Sequence, residues 1–178
     1  IFTDVLESNI EKILKEKNIQ TAKTLIVGNL PYYITSPIFR KFFGNWEQKY
    51  FAWFFMIQEE VWQKIKTEQH KKSFLWRLLN YAYNIYYRKT VWAKCFKPAP
   101  KVTSCLVEFQ KKDKIIDLNF QKLFEFLDLN SQFSRKMLWA IQKILIKQKK
   151  KIFDIPEDLK TKRLEELSWD EINQIIKK

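Results

Sequence analysis

The chain has 178 residues, 33 basic against 20 acidic, a formal net charge of +13 and 46% hydrophobic residues, which is ample material for a core and excludes intrinsic disorder. Its longest strongly apolar run, 50–57, falls far short of the roughly 20 residues that cross a bilayer, and the lysine excess points to a polyanionic partner, most simply nucleic acid, or to a surface kept soluble by charge. With two glycines (Gly28, Gly44), one histidine (His70) and two cysteines (Cys95, Cys105), the chain holds no G-x-G-x-x-G, no P-loop, no zinc site free of carboxylates and scant means for a His-based nucleophile.

In chain order, 8–17 reads as a helix that Asp4 can cap. Residues 24–28 (TLIVG) read as a short buried strand, and 29–35 as a tight segment. A helix follows, with Ser36 as cap, Pro37 at its first position and Ile38, Phe39, Phe42 and Phe43 on one face. A second strand is expected over 50–57, a short helix over 58–66, a core helix over 74–84 and a strand over 85–92. Strands alternating with helices predict an α/β sheet. Residues 95–103, with Pro98 and Pro100, form an irregular loop, and 104–110 alternates like an edge or hairpin strand. The cysteines read as reduced core residues of a cytosolic protein, one disulfide remaining possible.

From about Lys111 the strand signal ends. Amphipathic helices over 118–128, 135–148 and 169–176 predict an all-helical second domain, with the boundary at 112/113, and Ser168-Trp-Asp-Glu171 spells a capping box.

The chemistry concentrates after the first strand, in Asn29-Leu30-Pro31-Tyr32, at the carboxyl end of a strand where α/β sheets hold ligands. The amine of adenine is a poor nucleophile because its lone pair is delocalised into the ring. Two acceptors aimed at its hydrogens, the Asn29 amide oxygen and the Leu30 or Pro31 carbonyl, favour the tetrahedral form as a methyl group arrives. Tyr32 can stack on the flipped base, and Phe96, on the later proline-stiffened loop, offers a second ring. The structural alternative is an Asn-x-Pro turn with a core tyrosine. Lys94, Lys97 and Lys101 surround the later loop; Arg135, Lys136, Lys147, Lys149, Lys150 and Lys151 belong to a stretch, 134–151, without an acid. Both groups suit phosphates, although the second also suits a solvated helix end.

These segments resemble the ribosomal RNA small-subunit adenine N6-dimethyltransferase family, whose amine motif N-L-P-Y-x-I-[ST]-[ST]-P and later loop F-x-P-x-P-x-V-x-S correspond to 29–37 and 96–104. Met56-Ile57-Gln58-Glu59-Glu60-Val61, Ser134-Arg135-Lys136 and Arg163-Leu164-Glu165-Glu166-Leu167-Ser168 are similar to further family segments, the second in weakened form, while Leu75-Trp76-Arg77 departs from the family's Y-G-R-L. The resemblance implies the carboxyl half of a Rossmann-like class I methyltransferase sheet followed by a small helical domain. It also implies S-adenosylmethionine as cofactor, with Asp4 and Asn29 as its contacts here, and ribosomal RNA of the small subunit as partner of a cytoplasmic, monomeric enzyme without membrane association. The family's cofactor loop, G-x-G-x-G, is not in these residues, so an N-terminally truncated chain that binds RNA but holds the cofactor weakly is expected. A non-catalytic ribosome-assembly factor of the same fold, or a large-subunit or DNA methyltransferase, is the alternative.

Overall fold

The structure is a computed structural model that describes residues 4–44, 50–66, 73–113, 115 and 117–177; His70 lies outside them. The chain divides into two compact units, Ile1–Lys66 with Leu78–Ile115, and Thr67–Arg77 with Ile116–Lys178.

The first unit is a four-stranded mixed sheet. Strands β1 (Leu25–Asn29), β2 (Ala52–Gln58), β3 (Tyr83–Val91) and β4 (Ser104–Lys111) lie in the order β1-β2-β4-β3. β1 and β2 are parallel, from Leu25 opposite Ala52 to Asn29 opposite Met56, while β4 is antiparallel to both neighbours. Its place between β2 and β3 corrects the edge alternative, while its antiparallel pairing with the preceding strand agrees with the hairpin alternative. Glu108 and Gln110 imitate a solvated face, yet Glu108 is only 5% exposed, because Arg88 Nε donates to it at 2.5 Å and Gln110 Nε2 at 2.6 Å. Arg88 is the extra residue of a bulge between Tyr87 and Lys89, the device that redirects a side chain within a ladder. β1, expected to be buried, is instead half exposed, Leu25 at 47% and Val27 at 69%, since among the described residues it pairs with β2 alone.

Helix α1 (Ile10–Glu16) is capped by Asn9, whose side chain accepts from Lys12 N. Asp4 closes a turn of its own instead, accepting from Leu6 N at 2.7 Å. Helix α2 (Thr35–Phe43) starts before Ser36, with Ile34 at the cap position and no side-chain cap. It covers the sheet with Phe39 and Phe43, whose rings lie 5.6 and 5.2 Å from Phe109 and 5.8 and 6.3 Å from Phe55. β2 runs straight into α3 (Glu59–Lys66), which buries Trp62 and Ile65. Helix α4 (Phe74–Ala82) ends two residues earlier than expected, where β-branched and aromatic residues begin β3.

The second unit contains α5 (Phe120–Ser131), α6 (Leu138–Lys147) and α7 (Trp169–Lys177), and its described residues form no strand, only an isolated bridge between Met137 and Arg163. That bridge and the Leu138 N–H to Lys162 O bond delay α6 past the expected start at Arg135. Leu123, Phe126, Leu127, Leu138, Ile141, Leu145, Ile172 and Ile175 are buried at 0–1% exposure, the inward stripe of each helix. The capping box of α7 is present: Ser168 N donates to Glu171 Oε2 at 2.8 Å and Glu171 N to Ser168 Oγ at 3.1 Å.

Candidate active site and nucleic-acid interface

The sheet brings Asn29 to Tyr32 and the loop that carries Phe96 to one end. Asn29 is the last residue of β1 and is exposed, opposite Met56. Because β4 is antiparallel to β2, its first residue, Ser104, lies opposite Gln58 at the carboxyl end of β2 and opposite Val91 at the end of β3. The carboxyl ends of three strands and the loop 96–103 therefore share one rim, the position where such sheets hold ligands.

Gly28 is required by packing rather than by a turn. A β-carbon there would meet Leu30 Cδ2 and two atoms of the Phe55 ring at 3.1 Å. Leu30 is buried and its N–H donates to Met56 O at 3.2 Å, extending the ladder by one residue and fixing the direction in which the chain leaves it. Pro31 then turns the backbone, and its carbonyl accepts from Ile34 N at 3.2 Å and from Thr35 Oγ1 at 3.1 Å. Of the two candidate main-chain acceptors, the Pro31 carbonyl is thus engaged. No described residue donates to the Leu30 carbonyl.

Tyr32 opens a short 3-10 turn, Tyr32–Ile34, and its hydroxyl lies 2.5 Å from Ser104 Oγ. Ser104 is wholly buried, and no periodicity signalled this tether. The neighbouring Tyr33 is 86% exposed. Phe96 closes the 3-10 turn Ala93–Cys95 in extended backbone and is partly buried; among the described residues it makes no ring contact with Tyr32. Lys94, Lys97 and Lys101 around it are exposed, and the Lys97–Pro98 peptide bond is cis. The Thr103 carbonyl accepts from Glu59 N at 3.0 Å, which ties this loop to the start of α3.

Cys105 is buried as expected and Cys95 is exposed, both free, which corrects the core role for Cys95. Burial first, and then the Glu59 carboxylate, push the Cys105 thiol up to about 12, so it is no nucleophile at neutral pH. The described residues contain no group of three potential metal ligands.

In the second unit the expected phosphate contacts differ in availability. Arg135, Lys136, Lys147, Lys149 and Lys150 are exposed. Lys147 ends α6 and Lys149 has φ 53°, with Lys150 N donating back to Leu145 O at 3.0 Å, a left-handed helix termination. Lys151 is engaged: it pairs with Glu125 at 2.6 Å and lies 5.5 Å from the Phe153 ring.

The model of the family described as Ribosomal RNA adenine dimethylase matches residues 1–178. The chain is 35% identical over 150 residues to the Ribosomal RNA small subunit methyltransferase A of Hydrogenobaculum sp. (strain Y04AAS1), covering 84% of this chain and 55% of that protein. It is 33% identical over 148 residues to the protein of the same name from Clostridium acetobutylicum, covering 80% and 51%. It spans about half the length of the curated relatives it matches. Among solved structures, a dimethyladenosine transferase from Plasmodium falciparum superposes with TM-score 0.62 at 19% identity, over 92% of this chain and 74% of that one. The 23S rRNA methyltransferase ErmE superposes with TM-score 0.53 at 16% identity, over 94% and 76%. The fold is the Rossmann-like α/β fold of these methyltransferases.

Proposed function

The chain belongs to the ribosomal RNA adenine dimethylase family, and from that premise we propose that its protein transfers methyl groups from S-adenosylmethionine to the N6 atoms of adenines in small-subunit ribosomal RNA. The observation that carries this reading is the paired acceptor at the end of β1: an exposed Asn29 carboxamide beside the Leu30 carbonyl, to which no described residue donates. The Asn29 oxygen and the Leu30 carbonyl accept the two amine hydrogens, drawing the N6 lone pair out of conjugation, while the engaged Pro31 carbonyl serves the turn. Tyr32 stacks on the extruded base and Phe96 covers it from the later loop. Bound S-adenosylmethionine would give up its methyl with the sulfur keeping the bonding pair, and the proton that N6 then sheds would pass to water, so the residues need no strong base.

S-adenosylmethionine supplies an electrophilic methyl group when bound. The residues present fit one side of such a site only. Asn29 would face the methyl group, and Asp4 is exposed, although its Oδ1 already accepts from Leu6 N. Gly28 packs against Phe55 and offers no backbone cradle to a nucleoside. Lys94, Lys97 and Lys101 on the first unit and Arg135, Lys136, Lys147, Lys149 and Lys150 on the second would hold phosphates. No described helix is long and apolar enough to cross a membrane; that the enzyme is cytoplasmic and monomeric belongs to the proposal alone.

The test is nucleoside mass spectrometry of ribosomal RNA from cells with and without the protein. Loss of N6,N6-dimethyladenosine from the small subunit alone is expected. Unchanged small-subunit RNA with a loss in the large subunit would move the substrate there, and no change in either would leave a non-catalytic assembly role.

A further inference from the structure

We propose that the outward face of α6 is a stacking platform for an unpaired RNA base, with Trp139 as its ring. The inference rests on the reading that this protein acts on RNA, and adds a base contact on elements of the second unit that the amine site does not use. Leu138, Ile141 and Leu145 are fully buried, which turns positions 139, 143 and 146–147 outward by the helical repeat. Trp139, Lys143, Ile146 and Lys147 on that face are all exposed, Trp139 at 42%.

The ring is held, not loose. Its indole N–H donates to Met137 Sδ at 3.4 Å, and the Trp139 backbone N–H is fixed by Lys160 O at 3.0 Å. The Lys143 ammonium lies 4.8 Å from the ring centroid. On an exposed ring a mobile lysine is a weaker partner than a stacked base, so a base displaces the ammonium, which then sits within reach of the phosphate of that nucleotide.

Charge selects the occupant. The stretch 134–151 carries seven basic residues and no acid, so α6 and its flanks attract a polyanion. An aromatic ring among cations is the pairing that single strands use, bases on rings and phosphates on cations. In a duplex the faces of the bases are already stacked, leaving nothing for Trp139 to hold.

The experiment titrates the full chain with a labelled oligoadenylate and, separately, with duplex RNA over a range of salt concentrations. Trp139→Ala and Trp139→Leu should each weaken oligoadenylate binding roughly five- to hundredfold without changing the slope of log affinity against log salt, because a neutral ring releases no counterion. Trp139→Phe should retain most of the affinity, and duplex binding should not change. Lys143→Gln should make the slope shallower. Thermal unfolding of each variant separates loss of fold from loss of contact. A Trp139→Leu chain that binds oligoadenylate like the parent would overturn the platform and leave an apolar contact. An equal loss on duplex, or a shallower slope for Trp139→Ala, would overturn it too. A parent chain that binds neither RNA would overturn the RNA reading together with the platform, whereas tight parent binding indifferent to Trp139 removes the platform alone.

Discussion

The hydroxyls of Tyr32 and Ser104, 72 residues apart in the chain, meet at 2.5 Å. One side chain belongs to the turn after β1 and the other opens β4, so this bond links the amine motif to the loop that carries Phe96. With Ser104 wholly buried, the phenol has a fixed anchor, which sets the direction of the ring's long axis. Ordering the ring before the base arrives lowers the entropy lost on binding.

Removing that anchor should therefore affect the base more than the fold. Ser104→Ala is expected to weaken the stacking of a flipped base about fivefold, the worth of one net hydrogen bond, read as reduced quenching of a 2-aminopurine placed in the RNA. In a Tyr32→Phe background the same substitution should have no further effect. Additive losses would show that Ser104 acts independently of Tyr32.

Gly28→Ala forces a β-carbon to 3.1 Å from Leu30 and Phe55. Both neighbours are buried at 6% and 2% exposure, so they have little room to move. The expected cost is about 1–3 kcal/mol, seen as a lower urea midpoint with an unchanged slope.

Arg77 is fully buried in the second unit and donates from Nη2 to Leu164 O at 2.8 Å and Leu167 O at 2.7 Å, with its guanidinium 5.6 Å from the Trp169 ring. Burial lowers it to about 10, against the opposing pull of Glu171, so it is charged at neutral pH. Arg77→Met leaves two carbonyls without their donor and should cost roughly 3 kcal/mol. Loss of the near-ultraviolet signal from the Trp76–Trp169 stack, whose centroids lie 6.3 Å apart, at lower denaturant would register it.

Glu171 gives the second unit a pH dependence. Lys162 first, and then the Ser168 N–H, hold its carboxyl below the ordinary 4.5, while Glu171 raises Lys162 above 10.5. A lowered carboxylate stabilises the fold above its unfolded value and loses that stabilisation as pH falls through the folded one; a raised ammonium loses its own as pH rises past 10.5. The stability difference between the parent and Glu171→Gln should be constant from about pH 5 to pH 10 and shrink on either side. A difference that grows toward acid would contradict this assignment.

Part of the sheet was legible because two of its strands are runs of apolar residues: 24–28 and 50–57 predicted elements observed at Leu25–Asn29 and Ala52–Gln58. The rank of β4 in the sheet was not, since Glu108 and Gln110 alternate like a solvated face and their cover comes from Arg88, displaced by a bulge that no local pattern encodes. Asn9 and Asp4 offer the same capping chemistry, and the later start of the helix, at Ile10, puts Asn9 at the cap. At the candidate site, residue types and spacing pointed to Asn29 to Tyr32. The engagement of the Pro31 carbonyl and the Ser104 tether depend on contacts formed only when the chain folds. Trp139 looked like one more apolar position of an amphipathic helix until its neighbours at 138, 141 and 145 were seen to fill the core.

The most direct measurement of the central claim is methyl transfer to unmethylated small-subunit RNA by the native protein that carries these residues, with Asn29→Ala compared against the parent under saturating cofactor and RNA. Loss of one of two acceptors aimed at the amine should lower the methylation rate about a hundredfold or more, with RNA affinity and its salt dependence unchanged. An Asn29→Ala protein that forms N6,N6-dimethyladenosine at the parental rate would contradict the account.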